Sequence, residues 1–294
     1  MKKRKLNLKE RTIDLLKSLC FLSPSLLGVG VFFIVPFGVV VYYSLIDGVG
    51  SKNFVFLQNF IKLFDNSAFL MAAKNTLSFS AVAVPLAVVL AMGLALMLEC
   101  RIPLKSQFRT FFLSPMMVPV ASVVLIWQVL FNYNGTINEF LMLFGADKID
   151  WLQSDYCQIV VIILFLWKNL GFCIVIFVAA LQSIPEPLYE YATLEGASFR
   201  QQAFNITLPL IVPSAFLVFI LAWINAFRIF KEVYFIGGAY PDEAVYTLQN
   251  YMNNMYSKLN YQNVTTAAYS FAIIVFALFG VLFYIQKRAQ RGLT

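Results

Sequence analysis

IPEPLYEYATLEGASFRQQAFNITLPLIVP, residues 184–213, is a polar and charged stretch set between two long apolar runs. Glu186, Glu190, Glu195 and Arg200 fall on it in a helix–turn–helix pattern. Pro185 and Pro187 suit the start of a helix, where a missing N–H leaves no bond unmade. Gly196 suits a left-handed stop about two turns later. A second short helix is expected from Ala197 to about Thr207, until Pro209 opens the next apolar run. A water-facing helical hairpin of this kind, tethered at both ends by membrane spans, is placed to plug into a partner.

The rest of the chain supplies those spans. Hydrophobic residues make up 60% of the 294 positions and charged residues 13%, against about a quarter charged in a soluble domain. Mean hydropathy is +0.76. Apolar runs occur at about 21–46, 75–98, 110–131, 156–181, 208–230 and 264–285, each near the length of about 20 residues that crosses a bilayer. The reading is an all-α membrane protein of six transmembrane helices, with the polytopic domain over 21–286 and the hairpin, 184–209, between helices 4 and 5. A basic tail at 1–20 precedes it and a short tail at 287–294 follows. The first run is too long for a cleaved signal core, so it is read as a retained span. Pro24, Pro36, Pro85, Pro115 and Pro119 lie within the runs, where neighbouring spans accommodate them.

Six spans put both termini on one side. Seven of the 22 basic residues lie in the first 17 positions. With both termini inside, inner segments carry 14 basic and six acidic residues, a balance of +8, and everything else carries −1. This agrees with the rule that Lys and Arg gather on the cytoplasmic side. The same bias accounts for the net charge of +7 without nucleic-acid binding. Expected outer loops run over 47–74, 132–155 and 231–262.

Several chemistries are excluded or weakened. The chain has no histidine and no Cys-x-x-Cys pair, so neither a Ser/His/Asp triad nor a metal site is proposed. No GxxxxGK[ST] loop occurs, so no nucleotide cradle is proposed. Carboxylates are absent from the apolar runs, which weakens a proton-coupled transporter. Energy for uphill movement would then arrive from another subunit, and the hairpin is its receiver. Polar residues inside the runs are the second constellation. Lys168 and Arg228 should face a watery cavity, a partner subunit or each other through water, since a lone charge at mid-bilayer costs about 2.5–3.5 kcal/mol. Asn169 and Asn225, with Phe172 and Trp223, are the candidate lining of a sugar pathway: rings stack on C–H faces and amides bond hydroxyls.

In the 184–213 stretch, Glu190, Tyr191, Ala192, Gly196, Ile206, Leu208 and Pro209 fall in the register of a known motif. The chain resembles the membrane (permease) subunits of binding-protein-dependent ABC importers of the sugar type, the MalF-like carbohydrate-uptake branch, whose cytoplasmic "EAA" loop has this pattern. It departs at Tyr191, where the family has Ala, and at Glu195, where Asp is usual. Trp167 to Phe172 also resembles the family's fourth-span pattern. The stretch from Phe227, with Gly237, Gly238 and Pro241 at a turn, resembles its outer segment after the fifth span. The resemblance implies that Glu190, Ala192, Gly196, Ile206, Leu208 and Pro209 couple to an ATPase dimer, which holds the ATP and Mg. It also implies a second permease subunit, an extracytoplasmic solute-binding protein that meets the outer surface, and a multi-pass place in the bacterial cell membrane. No cofactor is expected in this chain, and it is not expected to be an enzyme. Two other readings are a self-contained secondary transporter and a non-transport assembly or receptor protein. Oligosaccharide, monosaccharide and glycerol-phosphate remain open as substrates, with few basic residues deep in the spans to favour the last.

Overall fold

The computed structural model describes residues 8–48, 53–99 and 105–291. Lys2, Lys3, Arg4 and Lys5 of the basic tail, and Cys100 and Arg101 of the first inner loop, lie outside the described residues. Among the described residues the fold is all-helical, with one isolated bridge between Ile46 and Phe54. Five helices are long and apolar enough to cross a membrane, and a bent pair supplies up to a sixth.

The first span is α1 (Leu8–Val29), a π-helical turn (Gly30–Ile34) and α2 (Val35–Ser44). The basic segment is therefore helical from Leu8 and runs unbroken into the span. After a short α3 (Gln58–Phe64), α4 spans Ser67–Glu99. It begins eight residues before the expected start and takes in Lys74, so part of the expected outer loop is helix. α8 (Cys157–Gln182) is the fourth span, and α7 (Thr136–Leu143) lies in the loop before it. The hairpin, α9 (Glu186–Leu194) and α10 (Phe199–Gln202), passes through a second π turn (Ala203–Thr207) into α11 (Leu208–Phe227). α12 (Phe230–Gly237) and α13 (Leu248–Ser257) precede the last span, α14 (Tyr261–Arg291).

The third span is the main departure from the sequence reading. It is not one helix over 110–131 but two, α5 (Lys105–Met117) and α6 (Val120–Leu130), meeting at 96°. Pro119 has no N–H and its ring disfavours a helical Val118. It therefore takes an extended conformation, φ −57° and ψ 134°, and α6 restarts after it. Pro36 and Pro209 produce no such break. Each lies two residues beyond a π turn, in which Val35 donates to the Gly30 carbonyl and Leu208 to that of Ala203. The wider i→i−5 turn makes room for the proline ring and keeps the helix continuous.

The core forms where α4, α8 and α11 meet. Ala83, Ala87, Ala91 and Ala95 recur every four residues on α4 and are fully buried. They share a cluster with Phe165, Ile174 and Phe177 of α8 and Val218 and Ala222 of α11. Small residues on one helix face let backbones approach and gain dispersion contacts, the main source of cohesion in lipid. Gly171 marks the closest approach of α8 to α5: a Cβ there would lie 1.8 Å from the Phe112 carbonyl oxygen. In contrast, the first span packs on α14 along α2 and is otherwise bare, with Phe21 87% exposed.

At the end of the bundle away from the hairpin, α3, α13 and the starts of α4 and α14 bury Leu63, Phe69, Leu248 and Tyr251 together. Buried polar side chains hold the connecting chain. Asn59 donates to the Ser44 and Ile46 carbonyls, Asn254 donates to that of Ala239, and Thr76 Oγ1 accepts from the Leu248 N–H at 2.8 Å.

Candidate functional site

Two assemblies contain the residues singled out from sequence. The first is the hairpin. Pro185 caps α9 in an extended conformation. The helix stops at Gly196, φ +79°. The Gly196 N–H donates to the Thr193 carbonyl and the Ala197 N–H to that of Ala192, the paired closure that a left-handed residue permits. Ser198 then opens α10 with a capping box to Gln201. Tyr189 Oη and Thr207 Oγ1 lie 2.9 Å apart, and Gln202 Nε2 donates to Thr193 Oγ1 at 3.0 Å. These two bonds tie the arms into one body. α9 buries none of its residues. Leu194 is 84% exposed, with Tyr191, Phe199 and Phe204 also exposed, an apolar surface on an otherwise polar hairpin.

Of the six motif residues, Glu190 and Gly196 are exposed and Ala192, Ile206, Leu208 and Pro209 half-buried. Pro209 stands in the first turn of α11, where it continues the helix rather than opening a new one. Hairpin and fifth span are thus one rod from Phe199 onward. Behind the hairpin, Glu99 Oε1 accepts from Arg109 Nη2 at 3.3 Å and Gln182 Nε2 at 3.0 Å. This joins the adjacent ends of α4, α5 and α8. Glu99, Tyr189, Gln202 and Thr207 line a cavity of about 400 Å³ between hairpin and bundle. None of the four was singled out from sequence.

The second assembly is a cavity of about 460 Å³ at the break between α5 and α6, within the range of roughly 300–1,000 Å³ that small-molecule sites occupy. Lys168, Asn169, Asn225 and Arg228 line it together, with Met116 and Val120 from the two sides of the break. Phe172 and Trp223 do not. Trp223 is buried in the α4–α8–α11 core beside Phe219 and Phe227. Asn169 donates to the Phe165 carbonyl of its own helix at 2.9 Å, which leaves its oxygen for another partner.

The cavity also holds a residue assigned to the outer loop, Glu232. It is 5% exposed, and its Oε1 accepts from Lys168 Nζ at 2.5 Å. The apolar runs themselves hold no carboxylate, but Glu232, just past the fifth run, reaches the same cavity as the polar residues within them. Sequence alone treats Lys231 as the end of the apolar run. The chain instead turns at Arg228 and Ile229 and re-enters helix. Gln128 of α6 then donates to the Phe235 and Ile236 carbonyls near the end of α12, which docks α12 against the broken span. The partners lie 64 positions apart, and no local pattern connects them.

Comparison with known proteins agrees with this architecture. Residues 83–292 match the family described as binding-protein-dependent transport system inner membrane component. The trehalose/maltose transport system permease protein MalF of Thermococcus litoralis is 31% identical over 81% of this chain and 82% of its own. The sn-glycerol-3-phosphate transport system permease protein UgpA of Escherichia coli is 34% identical over 70% of this chain and 71% of its own. A bacterial ABC transporter involved in the import of the acidic polysaccharide alginate superposes with a TM-score of 0.78 at 24% identity, over 95% of this chain and 98% of that one.

Proposed function

Given that this chain belongs to the family of binding-protein-dependent transport system inner membrane components, we propose that it works as a gate driven through the 184–209 hairpin by a separate ATPase. It is a sugar-type ABC importer permease, a multi-pass protein of the bacterial inner membrane. The finer assignments follow as our reading. Both termini and the hairpin face the cytoplasm, in line with the basic bias of those segments. A second, similar permease completes the pathway, two ATPase copies bind ATP and Mg, and an extracytoplasmic solute-binding protein delivers the sugar to the outer surface around α12 and α13.

One observation carries this reading: the hairpin is rigidly closed, presents exposed apolar side chains, and continues without a break into α11. A push on Leu194 and Phe199 would therefore move the fifth span as a lever, and α11 ends at the cavity through Asn225 and Arg228. Ala192 and Gly196 let a partner surface approach the backbone, and Glu190 remains available as an acceptor. Lys168, Asn169, Asn225 and Arg228 are our candidates for the pathway wall, while Phe172 and Trp223 would act by supporting it.

Gly196→Asp tests the coupling role. The variant is expected to insert at normal levels and to abolish ATP-driven uptake by membrane vesicles. Normal uptake would refute the role.

A further inference from the structure

The cavity at the broken span has a charge imbalance that a neutral sugar leaves unanswered. Lys168, Arg228 and Lys231 line it against a single carboxylate, Glu232. Lys168 and Glu232 satisfy each other. Neither Arg228 nor Lys231 forms an ion pair among the described residues. Arg228 stands at the C-terminal end of α11, where a cation is favourable without any ligand. Both side chains are exposed where they meet the cavity, and Lys231 lacks even that dipole support. It occupies the first turn of α12, where the helix dipole opposes a positive charge. The start of α6 adds to the same sign. Val120 lines the cavity, the preceding Pro119 makes no side-chain cap, and the first N–H groups of a half-helix favour an anion. Beside these donors, Glu232 Oε2 is buried and accepts no hydrogen bond.

Building on the importer reading, we infer that this cavity takes a saccharide bearing an anionic group (carboxylate, phosphate or sulfonate). Arg228 and Lys231 hold the anion. Asn169, Asn225 and Gln249 bond the hydroxyls, while Glu232 stays buried against Lys168. The guanidinium fork of Arg228 matches the paired oxygens of all three anions. Glu232 serves two ends: it neutralises Lys168 and it repels an anion that enters in the reversed orientation. The sequence reading, which saw few basic residues deep in the spans, placed Lys231 in the outer loop and so undercounted this wall.

The complete transporter, with its ATPases, second permease and binding protein, is reconstituted in vesicles. It is then offered an equimolar mixture of neutral, uronate-bearing and phosphate-bearing di- and trisaccharides. Mass spectrometry identifies what enters with ATP. Acidic members are expected to exceed their neutral counterparts, and the uronate and phosphate arms tell which anion is taken. Lys231→Gln and Arg228→Gln should each reduce that uptake about tenfold to a hundredfold, the value of one hydrogen bond to a charged group, and raise the neutral share. Equal uptake of neutral and acidic sugars, or unchanged selectivity in both variants, overturns the inference and leaves the importer reading in place. No ATP-driven uptake of any saccharide overturns both.

Discussion

Removing the lysine of the Lys168–Glu232 pair should harm the protein far more than removing both partners. Both residues line the cavity, but side-chain exposure is 25% for Lys168 and 6% for Glu232, so the lysine is the more open of the two and the carboxylate is nearly buried. Lys168→Met leaves Glu232 buried with both oxygens unpaired, since Oε2 already has no partner. Breaking a buried pair in this way costs about 3–5 kcal/mol. Glu232→Gln leaves a lysine that water can reach, a loss nearer about 1 kcal/mol. Lys168→Met combined with Glu232→Leu removes the stranded charge and should recover most of the loss. In detergent, melting followed by size-exclusion fluorescence should place Lys168→Met about 6 °C or more below wild type, with Glu232→Gln between and the double variant near wild type. A double variant that melts below both single variants would refute the reasoning, because the pair would then be stabilising in itself.

Gly171→Ala should separate α8 from α5, because the added carbon lies 1.8 Å from the Phe112 carbonyl oxygen. The loss is expected at about 3 kcal/mol or more, seen as loss of monodisperse protein after extraction. Ala91→Leu overfills the fully buried alanine face of α4 and should cost about 1–3 kcal/mol, measured by the same melting assay. An exposed counterpart, Val89→Leu, should change little. Tyr189→Phe deletes the 2.9 Å contact with Thr207. Its predicted signature is ATP hydrolysis that persists while uptake falls, as the hairpin arms loosen.

The hairpin was legible from its punctuation. Pro185 and Gly196 each impose a local conformation whatever surrounds them, and they bound the first helix; the second, expected from Ala197, opens at Phe199 behind a Ser198 cap that the sequence reading did not pick out. The second helix was less exact. It was expected to stop before Pro209, but the π turn over 203–207 absorbs that proline. At Pro119 there is no π turn, and the span breaks by 96°. Pro24, Pro85, Pro115 and Pro213 sit inside continuous helices with neither device, so residue type alone does not decide the outcome. The cavity was half legible. Lys168, Asn169, Asn225 and Arg228 stood out as polar residues in apolar runs. Glu232 and Lys231 did not, because a hydropathy boundary says where a run ends and not where the chain then turns. Trp223 was misleading for a related reason: an aromatic ring beside Asn225 in sequence points elsewhere on the helix and packs in the core. The alanines at 83, 87, 91 and 95 were not singled out from sequence, because small residues in an apolar run gain meaning only from the helices that cover them.

The central claim is that a cytoplasmic hairpin receives the force that opens this gate, and the most direct measurement is where residue 194 lies and what it touches. In a background with Cys20, Cys100, Cys157 and Cys173 replaced by serine or alanine, Leu194→Cys should react with a membrane-impermeant maleimide in inside-out vesicles and not in intact cells. It should also cross-link to the ATPase subunit, with a yield that changes on ATP binding. Labelling in intact cells, or an unlinked ATPase that still supports uptake, would contradict the account.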